Sequence, residues 1–210
     1  MSKTKLLDDL AGRFPQLNME VIQKAYQILL ECAQNQGCIL TCGNGGSASD
    51  AEHIVGELMK GFRLPRTLNE NQKAPFLKYG EQGSKTADSL QNGIRSICLN
   101  SQTALLTAVG NDNGYDMVFA QQTYLYGASG DVLIAMSTSG NSANVVNAAV
   151  TAKAKQMKVI GITGQKGGLL EQYSDVCICL PAGETYQIQE LTLPLYHALC
   201  ADLETDLFHE

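Results

Sequence analysis

The sequence predicts an α/β fold, a three-layer sandwich in which a parallel sheet lies between helices. Two observations carry that prediction. Short apolar runs of strand length alternate with stretches of helical length, a pattern that calls for parallel strands joined by right-handed crossovers. Two of those runs end in bends rich in glycine or serine, Gly43-Asn44-Gly45-Gly46 and Ser137–Ser142, and ligands in such folds sit at the carboxyl ends of the strands. At 210 residues, with no low-complexity linker, the chain reads as one domain with a large core.

Lys3–Arg13 and Leu17–Gln36 read as two amphipathic helices separated at Pro15, the second with apolar positions at Val21, Ile22, Ala25, Ile28, Leu29 and Cys32. Helices ahead of the first strand have no place inside a βαβ unit, so they cover one side of the sheet or dock on another subunit. Cys38–Cys42 is the first strand. Ser47 stands at the N-cap position of the helix that follows, Asp50 falls in its first turn, and Ala51, Ile54, Val55 and Leu58 form its apolar stripe.

Arg63–Asn92 is polar, carries Pro65, Pro75, Gly80 and Gly83, and reads as an insertion with helical pieces around Leu68–Tyr79 and Ser84–Leu90. Arg95–Leu99 is a strand, Ser101–Val109 a helix, Gly110–Gly114 a polar bend, and Met117–Tyr126 a further helix. Asp131–Met136 is the clearest buried strand, followed by the serine-rich bend and a helix over Ala143–Gln156. A strand at Lys158–Thr163, a short helix at Gly168–Gln172, a strand at Val176–Leu180 and a long closing helix at Thr185–Leu207 complete the chain.

Composition narrows the function. No run of eighteen apolar residues exists and the N-terminus turns acidic at Asp8-Asp9, so a cytoplasmic protein without a membrane segment is expected. The cysteines number seven and lie mostly in apolar runs, as small buried hydrophobes do in a reducing compartment. A net charge of -6 with no basic cluster argues against direct nucleic-acid binding, and leaves room for a local pocket for an anionic metabolite.

Chemistry concentrates in three places. His53 and Glu57, four apart on one helical face, could grip a metal ion or a reacting sugar; the same spacing is also met in surface pairs worth about 0.2–0.5 kcal/mol. Gly43, Gly45 and Ala48 fit the spacing of a dinucleotide fingerprint, but that fingerprint expects a second strand ending in an acid. Lys60–Arg66 stands there instead, which sets the dinucleotide aside. Four hydroxyls in Ser137–Ser142, at the start of a helix, suit a phosphate, though one serine alone would serve as a cap. On the closing helix His197 sits among leucines, two turns beyond Gln189 and Glu190, where a core histidine bonded to backbone is the plain alternative.

Cys42-Gly43-Asn44-Gly45-Gly46-Ser47, His53 with Glu57, Gly110-Asn111-Asp112, Ser137-Thr138-Ser139-Gly140-Asn141-Ser142, and Ile188-Gln189-Glu190 with His197 resemble the sugar isomerase (SIS) domain, and within it the sedoheptulose 7-phosphate (phosphoheptose) isomerases. The resemblance runs from about Asn18 to Glu204 apart from the insertion. It implies a flavodoxin-like, five-stranded parallel sheet with extra N-terminal helices, in a homotetramer whose active sites draw on more than one subunit. It implies conversion of sedoheptulose 7-phosphate to D-glycero-D-manno-heptose 7-phosphate, toward the heptose of bacterial cell-surface glycans. One zinc ion per subunit is implied, with His53, Glu57, Gln189 and His197 at the family's ligand positions. The substrate positions fall on Asn44, Gly45, Gly46, Ser47, Asn111, Asp112, Ser137, Thr138, Ser139, Ser142 and Gln189.

Aldose–ketose isomerisation moves a proton between adjacent carbons through an enediol, so it needs a base, an acid and stabilisation of oxyanion charge. Glu57 is the expected base and His197 the expected acid. Eight residues of helix separate Gln189 from His197 by about 12 Å, long for two ligands of one ion. Either Gln189 precedes the regular helix, or the helix passes the ion obliquely, or the ligands come from different chains. Two other functions fit the resemblance: non-catalytic regulators that bind the initiator of DNA replication, which lack the metal-site side chains retained here, and an isomerase or sensor of another phosphosugar.

Overall fold

In the computed structural model, which describes residues 5–208, five strands form one parallel sheet in the order β2-β1-β3-β4-β5. They are β1 (Ile39–Cys42), β2 (Ser96–Cys98), β3 (Val132–Met136), β4 (Lys158–Thr163) and β5 (Val176–Cys179). Successive side chains along a strand point to opposite faces, and both faces here are apolar. Ile39, Ile134, Ile160 and Ile178 enter one core, while Leu40, Leu133, Ala135 and Val159 enter the other.

The first core is closed by α1 (Leu6–Arg13), α2 (Met19–Gln34), α3 (Gly46–Met59) and α10 (Thr185–Phe208). The second is closed by α6 (Thr103–Asp112), α7 (Val118–Tyr126), α8 (Ala143–Ala154) and α9 (Gly168–Gln172). The N-terminal helices therefore cover the sheet on the α10 side. The Asp202 carboxylate of α10 accepts from the main-chain N–H groups of Leu6 (2.8 Å) and Leu7 (3.1 Å), which begin α1 and have no intrahelical acceptor. Lys3 and Thr4, where the expected first helix began, lie outside the described residues, as does His209.

Residues 63–92 form no strand, as expected of an insertion, but the helical pieces differ in extent. They are α4 (Glu70–Lys73), a 3-10 helix over Ala74–Tyr79 and α5 (Gly80–Ser89). The capping box between Asn69 and Gln72 starts the first piece, which sets its beginning later than Leu68. A single antiparallel bridge, Thr67 to Gln91, closes the base of the segment.

The strand order decides where the site lies. Connections from β1 and β3 leave the sheet on opposite faces, through α3 and α8, and the two strands are neighbours with Cys42 opposite Ala135. The glycine-rich and serine-rich bends thus flank the crevice at the topological switch point.

Candidate active site

Gly45 ends the turn after β1 with φ +58°, a conformation that a side chain disfavours, and it is this residue that caps α3. Ser47 is therefore not the N-cap expected from the sequence. It is buried inside the first turn, and Asp50 lies past that turn. The loop is pinned by Asn100, whose amide donates to the Gly43 carbonyl (2.8 Å) and whose oxygen accepts from the Gly43 N–H (3.3 Å). Asn44 reaches across the crevice and exchanges amide hydrogen bonds with Asn144 of α8 (2.8 and 2.9 Å). Gly46 has no Cβ because the Gln189 amide occupies that space.

Two helical turns further on, the i, i+4 pair is formed: His53 Nε2 lies 3.1 Å from Glu57 Oε1. Lys60 Nζ donates to the other carboxylate oxygen at 2.7 Å. Burial works to raise the Glu57 carboxyl, but Lys60 and His53 outweigh it and hold it below the usual carboxylate range, so the buried group is ionised at neutral pH. The Tyr196 hydroxyl lies 2.8 Å from His53 Nδ1. With Glu57 at Nε2 and the Tyr196 hydroxyl at Nδ1, both ring nitrogens are engaged, which fixes the orientation of the imidazole. Burial, and then the charge of Asp50, push the Tyr196 hydroxyl upward, so it stays protonated.

His197 stands against this pair from α10, its ring centroid 5.0 Å from that of His53. Its Nε2 atom is buried and has no hydrogen-bond partner among the described residues. Burial first and the neighbouring His53 second push its pKa below the ordinary value, against a smaller pull from Glu57. At neutral pH it is an uncharged imidazole, the form that can ligate a metal. An unpartnered buried nitrogen beside an imidazole and a carboxylate is a donor set that fits a cation. Three side chains of the expected zinc set thus meet, although no three His, Cys, Asp or Glu residues among those described form a ready cage.

Gln189 is the fourth residue of the expected set. It lies within α10, in the same continuous helix as His197, so it does not precede the regular helix. Its amide packs on the glycine loop at Gly46.

The serine-rich bend closes on itself: Ser137 Oγ lies 2.9 Å from Ser142 Oγ and 3.5 Å from Ser139 Oγ, and Ser142 begins α8 without a side-chain cap. Ser139 and Ser137 accept from the N–H groups of Asn141 (3.2 Å) and Ser142 (3.4 Å) and cap no N–H group inside α8, so their O–H groups can turn to an anion. A cavity of about 310 Å³ opens beside Thr138 and Ser139, with Gln165 and Lys166 on its far wall.

A family model for the SIS domain matches residues 5–75 and 85–164. The chain belongs to the SIS-domain family. A phosphoheptose isomerase of Helicobacter pylori (strain ATCC 700392 / 26695) is 37% identical over 191 residues, 91% of this chain and 86% of the relative. One from Thiobacillus denitrificans is 40% identical over 202 residues, covering 95% and 86%. A solved phosphoheptose isomerase of Neisseria gonorrhoeae superposes with a TM-score of 0.74 at 33% identity, covering 95% of this chain and 93% of that one. The SIS model passes over residues 76–84, which fall within the insertion.

In this SIS domain Asn44, Gly45, Gly46 and Gln189 gather at the glycine loop, and Ser137, Thr138, Ser139 and Ser142 at the neighbouring bend. Asn111 and Asp112 are in the last turn of α6 and not in a polar bend, because that helix runs three residues past Val109. They are exposed, and the Asn111 amide donates to Asp112 (2.8 Å). Tyr115, just beyond, carries that end of the helix toward the loop by donating to Asn44 (3.4 Å). Tyr115, Tyr196, Asn100 and Lys60 escaped the sequence reading. Of these only Lys60, three residues from Glu57, had a local signal.

Proposed function

We propose that the chain is a phosphosugar aldose–ketose isomerase that converts sedoheptulose 7-phosphate to D-glycero-D-manno-heptose 7-phosphate in the cytoplasm, for cell-surface heptose. The observation that carries this reading is an ionised, buried Glu57 beside the unpartnered His197 nitrogen, in a chain that also carries a hydroxyl-lined bend after β3. Phosphoheptose isomerase relatives covering nearly the whole chain support the choice of sugar.

The reaction takes a proton from C1 of the ketose, gives an enediol and returns a proton to C2, while the O1 hydroxyl proton passes to O2. Glu57 suits the carbon-to-carbon transfer because it is ionised and held by Lys60 and His53. His197 is neutral, so it serves O1 and O2 as a hydrogen-bonding imidazole that need not carry a full charge. The Ser137–Ser142 bend and the start of α8 hold the phosphate, and Asn44, Gly46 and Gln189 line the sugar's path.

His53, Glu57 and His197 would hold a zinc ion, completed by Gln189. When bound, the ion supplies positive charge for the sugar oxygens. Tyr196 can serve His53 in either tautomer, since its hydroxyl both donates and accepts. Because Gln189 and His197 share one helix, a homotetramer with ligands from different subunits accounts for the fourth ligand. The test is to incubate the protein with sedoheptulose 7-phosphate, with zinc and after chelation, and to follow aldoheptose phosphate. No product under either condition overturns the reading.

A further inference from the structure

Glu57 sits in the last turn of α3, three residues before the C-cap Lys60. A helix end leaves its final carbonyls without intrahelical donors and frays readily, which is a poor place for a group that must hold a proton-transfer geometry. In this chain a side chain from the base of the insertion supplies the donors. Arg66 Nη2 donates to the Glu57 carbonyl (3.2 Å) and Nη1 to the Leu58 carbonyl (2.7 Å), while Nε donates to Glu204 Oε1 (2.9 Å). Both side chains of the pair are fully buried.

Glu204, on α10, is engaged on every side. Besides Arg66 it accepts from the main-chain N–H groups of Phe62 (2.7 Å), Arg63 (2.7 Å) and Leu64 (3.1 Å), the residues that lead away from α3. A buried ion pair gives no more stability than well-packed apolar residues of similar volume, so stability alone does not account for it. What apolar residues cannot reproduce is the pair of hydrogen bonds to the carbonyls of Glu57 and Leu58.

We propose that Arg66 and Glu204 are positioning residues: a buried clamp that locks the last turn of α3 onto α10, and so fixes the carboxylate of Glu57 opposite His197. This rests on the reading of Glu57 as the proton-transfer group. It also gives the insertion's first residues a role in the site that its exposed helices do not have.

The test is the double variant Arg66→Met with Glu204→Leu, measured beside wild type. It removes both charges at similar volume but leaves the carbonyls of Glu57 and Leu58 and the N–H groups of Phe62, Arg63 and Leu64 without these partners, so its melting temperature falls while the protein still folds. Its kcat falls about 10–100-fold with KM nearly unchanged. Amide hydrogen exchange in the last turn of α3 becomes faster. Wild-type kcat, or wild-type exchange in that turn, overturns the clamp. If wild type itself does not turn over sedoheptulose 7-phosphate, the isomerase reading fails and the exchange experiment, which needs no substrate, still decides the clamp. Should the double variant not fold, Arg66→Lys makes the same comparison, since it keeps the charge beside Glu204 but not the two-carbonyl fork.

Discussion

Glu57 is held by hydrogen bonds from the Lys60 ammonium and the His53 ring, which outweigh its burial, and the arrangement has measurable consequences. Glu57→Gln keeps the shape and the contact with His53 but cannot accept a proton; a loss of about 10²–10⁴-fold in kcat with an unchanged melting temperature is expected. Turnover at the normal rate would remove Glu57 from the mechanism. The His197 pKa lies below its ordinary 6.5, so the unfolded chain binds its proton more readily than the folded one. That contribution to stability is present above pH 6.5 and is lost as pH falls through the lower folded value. In chelator, wild type should lose melting temperature below about pH 6.5 more steeply than His197→Gln. Parallel curves would show that the imidazole does not titrate with folding. The pair His53 and Glu57 was legible in the sequence because helical spacing is local. Tyr196 was not, since it arrives from a helix 143 positions away.

Among the elements, α3 and α10 carry the site and meet at Gly46. A Cβ there would run into the Gln189 amide, the far end of a flexible side chain, so Gly46→Ala should displace Gln189 rather than unfold the protein. Alanine favours the helix by up to about 1 kcal/mol over glycine, so stability should hold or rise. Turnover should fall about 10–100-fold through misplacement of a substrate contact. Kinetics and a melt on the same preparation check both halves; unaltered turnover would mean that Gln189 does not act from this position. The insertion makes a contrast. Its helices bury little beyond Gly83 and Ala87, and Leu77 and Tyr79 are exposed. Its base alone, through Arg66, enters the core.

For the whole molecule the outstanding feature is apolar surface. Tyr124, Leu125 and Tyr126 at the end of α7 are all exposed, at 60%, 65% and 42%. Consecutive exposed residues of this size point to burial against another copy, in line with the proposed tetramer. Sedimentation equilibrium should give the mass of four chains, and a monomeric mass would remove the shared-site explanation for Gln189.

The sequence by itself determined the alternation of strands and helices, the bends where ligands bind, the His53–Glu57 face and the family, because each depends on periodicity or on contiguous motifs. Its errors were local as well. Ser47 looked like a cap since it is the residue type that caps, while the backbone at Gly45 turns with a positive φ and takes that role. Tertiary structure alone decided that β1 and β3 are neighbours, which sets the glycine loop beside the serine bend. It decided that Arg66 meets Glu204 across 138 positions, and that Gln189 lies at Gly46 while His197 lies at His53. Strand order and buried polar partners are chosen by the packing of the complete chain, and no short stretch of sequence contains them.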